Sequence, residues 1–129
     1  MDISIIVRES FTLYYAGSEI FSMELDGLKD NKDVLMDKFM RDVQFLHRPS
    51  SPSLTGIHLK DSKVTAEMLK MMLEKLNEPG MHLKKAAVVG LNVFGRRMFS
   101  RHLKAITPPI HFVYSFFDDY EKAKEWLVL

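Results

Sequence analysis

Cysteine is absent from this chain, which removes disulfides, a thiol nucleophile and a thiolate metal site from consideration. Long apolar runs are missing too, since nothing approaches the ~20 residues of a membrane-spanning helix. Met1 to Arg8 lacks the basic start and the apolar length of a signal peptide, which predicts a cytoplasmic protein. Glycine and proline are sparse, six and five in 129 residues, which excludes a collagen-like or low-complexity chain. A further shortage is local. From Pro79 to Phe117 there is not one Asp or Glu, while Lys84, Lys85, Arg96, Arg97, Arg101 and Lys104 all fall there. Net charge is only +1, so no nucleic-acid partner is expected, yet that run can set up a local positive field.

What is present suits one α/β domain over 1–129, long enough to bury a core without metal or disulfide. Its organising stretch is Lys84 to Arg97. Ala86 to Leu91 is an unbroken apolar run, the pattern of an interior parallel strand. Gly90 and Gly95 bracket a turn, and Phe99, Leu103 and Ile106 continue at i, i+4 and i+7 along one helical face. Earlier in the chain, Ile3 to Glu9 and Phe11 to Ala16 are predicted strands, while Glu19 to Lys29 fits either a strand or an irregular connection.

A helix capped at Asp30 or Asn31 should bury Met36, Phe39, Met40, Val43 and Leu46 and expose Asp37, Lys38, Arg41 and Asp42. Leu54 to Lys60 reads as the next strand. Thr65 then caps a helix with Leu69, Met72, Leu73 and Leu76 inside and Met71 off the buried stripe. Ile110 to Phe117 is the last strand, apolar on both faces, and Asp118 with Glu121 resembles a capping box for a final helix carrying Ala123, Trp126 and Leu127. Strands alternating with helices predict a four- to five-stranded, mainly parallel sheet with covering helices, and Val88 and Val89 at its centre.

This order resembles the STAS domain, found in anti-sigma factor antagonists and sulfate-transporter tails, and especially its SpoIIAA-like branch. The local likeness lies in Ser115 to Leu127, similar to that branch's final strand and helix, and in Ala86 to Leu91, similar to its penultimate strand. The resemblance implies a non-enzymatic regulatory module with a protein partner. It also admits a carrier of a lipid or small apolar anion, and a homodimer. In that family a serine in the turn after the central strand is phosphorylated. Here the turn is Asp61, Ser62, Lys63, Val64, Thr65, which keeps the Asp-Ser pair and lacks the family's glycine. The residues themselves are read as caps for the helix, with phosphorylation of Ser62 or Thr65 as the alternative the resemblance implies.

Other chemistry has little to rest on. Gly90 and Gly95 have the spacing of a phosphate loop, but Arg96 and Arg97 stand where its Lys and hydroxyl belong. A weaker anion or partner site survives in Asn92, Gly95, Arg96, Arg97 and Arg101, because a helix N-terminus and guanidinium groups act together. His47, His58, His82, His102 and His111 show no metal-binding spacing, and no metal or cofactor is expected. Asp61, Asp118 and Asp119 all follow strands and offer the remaining enzymatic alternative, with capping the simpler reading. Nine methionines suit either core gap-filling or, at Met71, an adaptable surface.

Overall fold

The computed structural model of the protein describes residues 5–129. A two-residue turn, Ala16-Gly17, joins β1 (Phe11–Tyr15) to β2 (Ser18–Glu24) as an antiparallel hairpin. Three crossovers follow: α1 (Lys32–Leu46) to β3 (Leu54–His58), α2 (Ala66–Leu76) to β4 (Lys85–Val89), and α3 (Val93–Ala105) to β5 (Val113–Phe117). The closing helix is α4 (Tyr120–Leu127). The strands lie side by side in chain order, with β2, β3, β4 and β5 parallel to one another. The expected mainly parallel sheet is therefore corrected to a mixed one, because the hairpin adds an antiparallel strand at one edge.

Stepping to the adjacent strand each time, with the usual right-handed connection, sends α1, α2 and α3 to one face. The larger core sits there: Leu35, Phe39, Leu69, Leu73, Phe99 and Leu103 pack with Phe21, Met23, Ile57, Ala86 and Val88. A fully buried Leu or Phe of this kind is worth ~1.5–3 kcal/mol, so this layer dominates the folding energy. On the opposite face α4 lays Ala123 and Leu127 against Ile20, Ala87 and Val89. β4 has a neighbour on each side and is buried on both faces, as its apolar run implies. β5 takes the outer edge, and Val113 is 59% exposed although the strand is apolar on both faces in sequence.

Several expectations change for identifiable reasons. Residues 3 and 4 of the first expected strand lie outside the described residues, and 5–9 form no strand. That segment is tied by side chains. Arg8 pairs with Asp26, and the Ser10 hydroxyl donates to Asp42 (2.6 Å) while accepting from the Glu24 amide (3.0 Å). Lys38, expected in water, is buried, because its ammonium donates to the same hydroxyl at 2.5 Å and pairs with Asp42 at 3.2 Å. Met40 is correspondingly turned outward, and Leu35 joins the stripe instead. The open segment from Glu19 supplies most of β2. The final cap is Asp119, whose carboxylate accepts from the Glu121 amide, rather than Asp118.

Candidate docking site at the strand ends

The turns after β3 and β4 meet at the carboxyl end of the sheet. Gly90 makes that meeting possible. It sits at φ +91°, and a Cβ there would lie 2.7 Å from the Lys60 amide nitrogen, so an L side chain would be both strained and blocked. Between the two turns lies a cleft of about 600 Å³ that stands open to solvent. Val64, Leu69, Leu91 and Met98 give it an apolar floor, and Lys60, Asp61, Lys63 and Phe94 stand exposed at its mouth.

On the β3 side two of the three sequence candidates, Ser62 and Thr65, are hydrogen-bonded to backbone. Asp61 is exposed at φ +57°, in the left-handed region that Asp tolerates better than most residues. The Ser62 hydroxyl donates to the Leu25 carbonyl at 2.5 Å and accepts from the Leu28 amide at 3.0 Å, which fastens the loop after β2 to the loop after β3. Thr65 caps α2 by accepting from the Met68 amide at 3.2 Å. Both hydroxyls are thus engaged with backbone.

Across the cleft, the Asn92 side chain caps α3 by accepting from the Gly95 amide at 2.8 Å. Arg96 is stapled down. Its Nε donates to the Leu91 carbonyl (3.1 Å), its Nη2 pairs with Asp118 (2.8 Å), and its guanidinium lies 5.6 Å from the centre of the Phe116 ring. Arg97, Arg101 and Lys104 differ: all three are exposed, and none makes an ion pair among the described residues. They fall at i, i+4 and i+7 on one side of α3, beside a shallow depression of about 490 Å³. One turn before Arg97 stands Phe94, 77% exposed, next to Val93 at 63%. Two large apolar side chains in water at the start of a cationic face are the least expected feature of this surface.

A second cluster lies on the α4 face of β2 and β3, and no motif in the sequence pointed to it. Gly56 leaves room for the Tyr120 ring, whose hydroxyl donates to Ser22 at 3.0 Å. The His58 ring meets Tyr120 edge-on at 4.2 Å, and its Nε2 is 3.6 Å from Glu24. Burial, then the Asp26 charge, raises the Glu24 carboxyl above its ordinary range, against Arg8 and a bond from Ser22. Burial likewise lowers His58, partly offset by Asp26. The only sequence signal was parity: Glu24 and Ser22 share one strand face, as do Gly56 and His58. This cluster joins two strands, one helix and Arg8 of the amino-terminal segment.

Among the described residues no group of three or more His, Asp or Glu is placed to hold a metal ion, and no helix is long and apolar enough to cross a membrane. Comparison with protein-family models, with curated proteins and with solved structures finds no match for this chain.

Proposed function

We propose that this protein is a non-enzymatic interaction module, of the regulatory kind its STAS-like order suggests, and that it docks a partner protein at the start of α3. The observation that carries this reading is the exposed pair Val93 and Phe94 beside Arg97, Arg101 and Lys104, which make no ion pair among the described residues. Covering Phe94 alone would contribute ~2 kcal/mol to an association, and the cations would add orientation and rate. The carrier alternative asks for a closed apolar cavity. The cleft next to α3 instead stands open and is rimmed by Lys60, Asp61 and Lys63, which supports the module. Regulation through Ser62 gains no support from geometry, because its hydroxyl already holds two backbone groups.

Native mass spectrometry of the protein purified from its own host tests the proposal. A complex with a second protein is expected, and a variant carrying Phe94→Ser with Arg97→Gln and Arg101→Gln should appear alone. Retention of a lipid-sized mass, unaffected by those substitutions, would move the conclusion to the carrier.

A further inference from the structure

We infer that the occupant of this face is an acidic segment of the partner carrying one apolar anchor, a proposal that rests on the docking reading above. The anchor enters the cleft between the turns after β3 and β4, over Leu69, Leu91 and Met98 and against Phe94. Carboxylates on either side of it meet cations on either side of Phe94: Lys60 and Lys63 at the cleft mouth, and Arg97, Arg101 and Lys104 along α3. From Phe94 to Lys104 the helix rises ~15 Å, so four anchor points lie along a line suited to a short segment. The positive end of the α3 dipole falls at Phe94 and adds to the attraction there.

Two observations favour a narrow protein segment over an anionic membrane. The apolar floor is recessed in a cleft, which a side chain can enter and a flat bilayer cannot fill. The cationic path is also interrupted by exposed acids: Asp61 stands between Lys60 and Lys63, and Asp118, its carboxylate 87% exposed, stands beside Arg96. Headgroups pressed across the whole area would meet both carboxylates, whereas a segment threaded along α3 leaves Asp118 aside and sets its apolar anchor, not a carboxylate, opposite Asp61.

Selection of random peptides of about 15 residues on the purified full-length protein tests the inference. Enriched peptides should share a large apolar residue flanked by two or more Asp or Glu. Their affinity should fall about tenfold or more when Arg97, Arg101 and Lys104 are all replaced by Ala, fall as far with Phe94→Ser, and weaken with added salt. Binders without an acidic excess, or binders that lose affinity only with Phe94→Ser, would overturn the acidic partner while leaving the docking face intact. Indifference to both variants would overturn the docking reading itself. Mixed phosphatidylcholine and phosphatidylserine vesicles serve as the comparison. Sedimentation of the protein with them, lost in the same variants and unmatched by any peptide, would assign the face to a membrane instead.

Discussion

Replacing Lys38 by Met should destabilise this fold although it deletes only polar contacts. The Lys38 side chain is only 6% exposed, and its ammonium serves both Asp42 (3.2 Å) and the Ser10 hydroxyl (2.5 Å). Methionine keeps the apolar stem and deletes the charge, so the loss isolates the polar contacts. Removing one member of a fully buried ion pair costs ~3–5 kcal/mol. Here Asp42 keeps 14% exposure and the bond from Ser10, so water and that hydroxyl relieve part of the cost and about 2–3 kcal/mol should remain. Urea unfolding followed by circular dichroism would measure it, with Asp42→Asn and the double variant completing a cycle. The double variant should lose less than the sum of the singles by about 1 kcal/mol or more. A Lys38→Met loss below about 0.5 kcal/mol, or strict additivity, would show that the pair adds nothing to stability.

Three further outcomes follow from the same contacts. Gly90→Ala should cost about 3 kcal/mol or more in urea melts, because a Cβ at positive φ would press on the Lys60 backbone. Ser62→Ala should cost about 2 kcal/mol by stranding the Leu25 carbonyl and the Leu28 amide, and Ser62→Glu should cost no less if the site is structural. The third concerns pH. His58 is held below its ordinary 6.5, so as pH falls through that value the unfolded chain binds the proton first and stability drops. Glu24 is held above its ordinary 4.5, so the folded state binds its proton first and stability rises as pH falls toward that value. Glu24→Gln should therefore steepen the loss of stability below about pH 6.5, and His58→Gln should flatten or reverse it. Unfolding curves across pH that keep one slope in both variants would refute this account of the cluster.

The parts of the fold visible in the sequence were those where one chemistry repeated. Ala86 to Val89 is apolar at every position because β4 is covered on both faces, and Phe99 and Leu103 keep the α3 stripe. β2 was harder. Ser22 and Glu24 share a face with Ile20, and they are tolerated there because Tyr120 and His58, distant in sequence, come to meet them. Lys38 misled for the same reason: its partner Asp42 was visible one turn away, but Ser10 was not. At the site, the basic face could be read directly. That Arg96 is tethered to Asp118 while Arg97 makes no ion pair among the described residues depends on how β5 and α4 fold back beside α3, which no local pattern encodes.

The central claim, that the start of α3 is covered by another protein, is met most directly by site-specific photocrosslinking in the host cell, with Phe94 replaced by p-benzoylphenylalanine. One discrete protein adduct should form at that position, disappear when Arg97, Arg101 and Lys104 are changed to Glu, and be absent with the probe at exposed Thr12 on β1. An adduct that survives the charge reversal, or equal labelling from both positions, would contradict it.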